Sequence, residues 1–169
     1  MFSSTIWQSL EMSPVGDYIA ASTWAFPTLE TIHVIALVTV FGSIAMMDLR
    51  LLGLVSKNTP VTAVSRETLP FTWTAFVLAL ITGSLLFVSK ASYYMVNPYF
   101  LTKMGLIALA GINMAVLHTG AWKTVTNWDV GNAIPTSVKV AAGLSLAFWI
   151  LVLFCGRVIG FTLGIYVPA

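Results

Sequence analysis

Apolar residues gather along this chain in four long runs, and short polar stretches marked by proline separate them. The runs cover about 25–51, 71–89, 99–121 and 139–163, and each is close to the ~20 residues a helix needs to cross a bilayer. The first run is longer and must tilt or protrude. Pro14, Pro27, Pro60, Pro70, Pro98, Pro135 and Pro168 fall between the runs or at their edges. Residues 3–11 place Ile6, Trp7 and Leu10 on one face, which predicts a short amphipathic helix lying on the membrane surface. The segments 57–69, 90–98 and 123–137 read as polar loops, with one helical turn near Ser65–Glu67. Trp7, Trp24, Trp73, Trp122, Trp128, Tyr93, Tyr94, Tyr99 and Tyr166 stand near run ends, as in an aromatic belt. The predicted architecture is one all-α domain over 1–169: an integral-membrane four-helix bundle with an N-terminal interfacial amphipathic helix.

Composition strengthens that picture. The 169 residues are 58% hydrophobic and only 8% charged, with a mean hydropathy of +0.91, whereas soluble domains carry about 25% charged residues. The net charge of +2 is spread along the chain, and no basic stripe points to nucleic acid. No Gly-rich phosphate loop, nucleophile elbow or zinc-protease helix occurs, so stand-alone catalysis is not expected. Cys155 is the single cysteine and reads as a packing residue. The first ten residues carry no Lys or Arg, so no cleaved signal peptide is expected. Arg50, Lys57, Arg66, Lys123 and Lys139 belong to the first and third loops, against Lys90 and Lys103 on the other side. The positive-inside rule then predicts a bacterial inner-membrane protein with both termini periplasmic.

Ionisable residues inside the apolar runs carry the candidate chemistry, because charge is expensive at membrane depth. Glu30, His33, Lys103 and Arg157 fall within roughly one helical turn of each other in depth, on the first, third and fourth runs. Glu30 and His33, at i and i+3, point the same way. The group is predicted to hold an anionic complement such as a carboxylate, a haem propionate or a quinone oxygen. Glu30 is expected to pair with Lys103 or Arg157. The competing reading is an ion-pair network that only fixes helix packing. Glu30-x-x-His33 also has the spacing of di-metal bundle sites, but that motif is needed twice and occurs once.

His118 lies toward the opposite membrane face, at the depth of Met46, Met47, Asp48 and Arg50, so an Asp48–His118 hydrogen bond is expected. His33 and His118 are the candidate metal ligands. They differ by roughly 20 Å in depth, so they do not clamp one haem b between them. Haem would need single-His or His/Met ligation, for example His33 with Met104, or His118 with Met46 or Met47, and Met with His also suits Cu(I). Gly156, Gly160 and Gly164 form a small-residue stripe on the fourth run, suited to close contact with another helix of this chain or of a second copy.

The run Trp24-x-Phe26-Pro27-x-x-Glu30-x-x-His33, then Gly42, Asp48-Leu-Arg50-Leu-Leu-Gly53, Lys103, Asn113-x-x-x-x-His118 and Gly156-Arg157 resembles a small bacterial four-helix inner-membrane family of unknown function. More distantly it is similar to haem-b membrane cytochromes and copper-resistance D membrane proteins. The distant resemblance implies electron transfer or metal handling. Three functions follow as expectations: a redox-associated membrane subunit binding haem b or quinone, a small permease or metal-handling protein, and a non-catalytic accessory subunit packed against other membrane subunits.

Overall fold

The computed structural model describes residues 2–131 and 133–168; Met1 and Ala169, the ends of the expected domain, and Asn132 of the third loop lie outside them. The described residues form helices and no strand. In chain order these are α1 (Phe2–Glu11), α2 (Pro14–Ala21), α3 (Ala25–Leu51), α4 (Val61–Ser89), α5 (Ala91–Val96), α6 (Pro98–Thr119), a 3-10 helix (Ala121–Asn127) and α7 (Thr136–Thr162). Four of them, α3, α4, α6 and α7, are long and apolar enough to cross a membrane.

Several prolines open helices rather than only separating them. Pro14 and Pro98 occupy first-turn positions of α2 and α6, where a missing N–H costs nothing. Ser13 and Asn97 cap those same turns: Ser13 Oγ accepts from Gly16 N at 3.2 Å, and Asn97 Oδ1 accepts from Tyr99 N at 3.0 Å. The helical segments α2 and α5 fall where only punctuation and a loop were expected.

The largest correction concerns 57–69. This stretch is helical from Val61, so α4 begins ten residues before the expected start at 71, and Pro70 lies inside it. The cause is a cap delivered from a distant loop. Asp129 Oδ1 accepts from Thr62 N at 2.9 Å, Asp129 Oδ2 accepts from the Thr62 hydroxyl at 2.7 Å, and Asp129 O accepts from Val61 N at 3.3 Å. Three first-turn donors of α4 are thereby satisfied. Pro70 removes one helical N–H. Around it, the Thr68 and Thr72 hydroxyls donate back to Val64 O and Thr68 O.

The long helices pair α3 with α4 and α6 with α7, and α3 also touches α7. Helices α4 and α6 barely meet, so the spatial order is α4–α3–α7–α6. Val40, Ala75, Ala110, Trp149 and Val152 form the middle core; Leu51, Val61, Trp128, Val138 and Ala142 form a second core at one end. Trp128 is therefore a core residue and not part of a surface belt.

That end is held by Arg50, which is 4% exposed. Its Nε donates to Thr59 O at 2.9 Å and its Nη2 to Asp129 O at 3.2 Å. Arg50 thus joins the end of α3, the α3–α4 connection and the loop before α7. At the opposite end Glu11 Oε1 accepts from the Ser92 backbone N–H and hydroxyl, fastening α1 to the start of α5. Fully buried Asn97 donates from Nδ2 to Thr162 Oγ1, joining the start of α6 to the end of α7. Trp7 packs edge-on against Phe87, so α1 rests on the end of α4 with Ile6 exposed.

Candidate functional site

The structure distributes the predicted cluster rather than closing it. Glu30 is exposed and forms no ion pair with Lys103 or Arg157, so the expected pairing is not made. Its charge instead acts on Tyr94 of α5, whose hydroxyl is pushed up to about 12, first by burial and then by Glu30. Arg157 is exposed and lies over the Phe161 ring, 4.6 Å from its centroid. Of the four side chains, Glu30 and Arg157 thus leave the interior.

His33 and Lys103 do stay together. His33 is half-buried, with Nδ1 3.0 Å from Thr82 Oγ1 on α4. The Thr82 hydroxyl donates to Leu78 O at 2.7 Å, so the ring nitrogen is the donor to Thr82. The imidazole lies on Gly83, where an added Cβ would stand 2.9 Å from His33 Cε1. Lys103 is near enough for its charge to act on the ring. Its Nζ lies over Gly156, 3.7 Å from where a Cβ would be. Of the expected glycine stripe, only Gly156 has a side chain against it; Gly160 and Gly164 have open space. Among the described residues no group of three or more His, Cys, Asp and Glu side chains gathers to hold a metal.

A different site emerges at the Arg50 end, where α4 and α6 diverge. A cavity of about 200 Å³ lies there, lined from all four long helices. Its walls are mainly apolar and aromatic, including Phe76, Trp73, Trp122 and Trp149. Asp48 of α3 lines it and is 5% exposed. The Ser145 side chain hydrogen-bonds the Asp48 carboxyl, while Asp48 Oδ2 is buried with no hydrogen-bond partner. Buried polar atoms are nearly always paired, so one that is not calls for a specific reason.

His118 lines the same cavity from α6, but the expected bond to Asp48 is replaced by a local one. His118 Nδ1 donates to Met114 O at 2.9 Å, and the ring stacks on Trp122 with centroids 5.2 Å apart. Asn113 Nδ2 donates to Ala141 O at 2.9 Å, tying α6 to α7 beside the cavity. Ser145 and Trp149 were not singled out from the sequence, and Trp73 was read only as part of an aromatic belt. Asp48 carried the same signal as Glu30, a carboxylate inside an apolar run, and the rule that selected Glu30 selects it equally.

Among known families, the model described as "Family of unknown function (DUF6644)" matches residues 12–162. No curated protein and no solved structure matches the chain, so the distant likeness to haem-b cytochromes and copper-resistance D proteins gains no support.

Proposed function

We propose that this chain, which belongs to the DUF6644 family of unknown function, is a four-helix integral membrane protein that binds a small, largely apolar molecule in the cavity at Asp48. The membrane reading is supported by an inverted surface. Large side chains such as Val38, Leu80, Ile112 and Phe154 face outward, while Ala36, Ala79, Thr82 and Asn97 are buried. Water-exposed apolar patches of that extent are rare, whereas small residues at helix contacts and apolar outer faces are what lipid favours. The excess of basic residues at the Arg50 end supports a cytoplasmic location for that end in a bacterial inner membrane.

One observation carries the binding reading: Asp48 Oδ2 is buried, unpartnered and on the wall of a cavity. A purely structural carboxylate in this position would be completed by a donor of the fold, as Asp129 is. A cavity of about 150 Å³ accommodates benzene, so one of about 200 Å³ takes a single-ring molecule with a few substituents.

The redox-associated reading keeps one supporting feature. With Nδ1–H bound to a backbone carbonyl, His118 presents Nε2 as a ligand, the arrangement typical of metal-bound imidazoles. Met47 and Met114 line the same cavity. A Soret band in the purified protein, lost in His118→Ala, would place haem there.

The binding reading is tested in nanodiscs with two single-ring probes, 2,3-dimethoxy-5-methylbenzoquinone and benzyltrimethylammonium. Ala110 lies in the core beside the cavity, so Ala110→Phe should fill it. Saturable quenching of tryptophan fluorescence by at least one probe, lost in Ala110→Phe, is the expected result. Equal response of the two proteins to both probes would remove the site.

A further inference from the structure

We infer that the ligand of the Asp48 cavity is a small organic cation, a protonated or quaternary amine on a single-ring apolar body. The inference rests on the binding reading above and assigns its chemical class.

The hydroxyls of Ser43, Thr68 and Thr72 all donate to carbonyls of their own helices. Asn113 Nδ2 is engaged with Ala141 O, His118 Nδ1 with Met114 O, and Ser145 with the Asp48 carboxyl. These bonds occupy those donors and leave as acceptors Asp48 Oδ2, the Asn113 side-chain oxygen and His118 Nε2; the remaining donors on the wall are the Ser65 hydroxyl and the indole N–H groups of Trp73, Trp122 and Trp149. A molecule that donates or carries positive charge is matched by these acceptors.

Charge gives the same answer. No Lys or Arg lines the cavity, and Asp48 and His118 are its only titratable side chains among the described lining residues. Asp48 is therefore without a cation of its own, and a buried carboxyl that stays ionised requires one or an equivalent set of donors. The Arg50 guanidinium, two residues along α3, is directed to the Thr59 and Asp129 carbonyls instead.

The aromatic walls complete the match. Trp73, Trp122, Trp149 and Phe76 surround the space, and indole faces attract cations more strongly when desolvated. The assembled site is a carboxylate at one wall with aromatic surface on the others, opening where α4 and α6 separate.

The test isolates charge from shape. Benzyltrimethylammonium and neopentylbenzene have the same skeleton and differ in a quaternary nitrogen against a carbon. Binding of each to the full chain in nanodiscs is followed by tryptophan quenching, alongside Ala110→Phe and Asp48→Asn. The expected result is saturable binding of the cation, none of the isostere, and weakening of the cation by at least about tenfold in Asp48→Asn. If Asp48→Asn does not fold, the cation–isostere comparison on the native protein decides alone. Equal binding of the isostere, an unchanged affinity in a folded Asp48→Asn, or binding of the benzoquinone alone overturns the cation assignment and leaves the cavity as a ligand site. Binding that Ala110→Phe does not alter for any probe overturns both.

Discussion

Replacing Arg50 by methionine should be among the most damaging single changes at the cavity end of the molecule. The guanidinium is 4% exposed and makes two bonds to carbonyls from separate segments, 2.9 Å to Thr59 O and 3.2 Å to Asp129 O. Hydrogen bonds from a charged donor contribute ~1.5–3 kcal/mol each, and a buried carbonyl left unpaired adds a penalty of its own. The 3.2 Å bond belongs at the low end of that range, so the sum is about 3–5 kcal/mol. Methionine keeps the apolar stem, which separates lost bonds from lost packing. Lysine should recover only part, because one ammonium on a flexible stem does not reproduce a planar fork reaching two segments. Reversible unfolding in mixed micelles of dodecylphosphocholine and sodium dodecyl sulfate measures both variants. A loss below about 1 kcal/mol for Arg50→Met, or full recovery by Arg50→Lys, would refute the assignment of this residue as the tie between α3, α4 and the loop before α7.

Gly83→Ala should destabilise the protein and disturb the His33–Thr82 bond, since the new Cβ falls 2.9 Å from the imidazole; an unchanged unfolding midpoint would show that the ring shifts freely. Glu30→Gln should change stability by no more than about 0.5 kcal/mol, because Glu30 is exposed and unpaired; a loss of several kcal/mol would restore the ion-pair reading. For Asp129, burial pushes the carboxyl up, but the hydrogen bonds from Thr62 and Val61 and the charge of Arg50 outweigh it and hold it below the usual range. Stability from this cap is thus complete above the ordinary Asp pKa of about 4 and declines as pH falls toward and through the lower folded value. A pH series of unfolding midpoints should show that decline in the native chain and a flatter curve in Asp129→Asn. A reporter active only in the cytoplasm should stay silent at the C-terminus and be active when inserted between Val55 and Thr59; the reverse pattern would invert the proposed topology.

Hydropathy alone was sufficient for the existence of the four long helices, because each is apolar nearly all round and needs no partner to declare itself. The same uniformity hid everything about direction. Depth along a helix follows from residue count, so Glu30, His33, Lys103 and Arg157 were placed at one level from the sequence. Which way each side chain turns depends on helix rotation, and that is set by packing: His33 turns to Thr82, Arg157 to Phe161, and Glu30 outward. The start of α4 depends on Asp129, 67 positions from the Thr62 it caps, so a local reading took a capped first turn for a loop. Likewise the cavity exists because α3 packs with α4 and α6 with α7 while α4 and α6 separate, an outcome of side-chain fit across helices. A carboxylate in an apolar run was legible at Asp48; that its second oxygen would face no donor of this chain was decided only when the four helices came together.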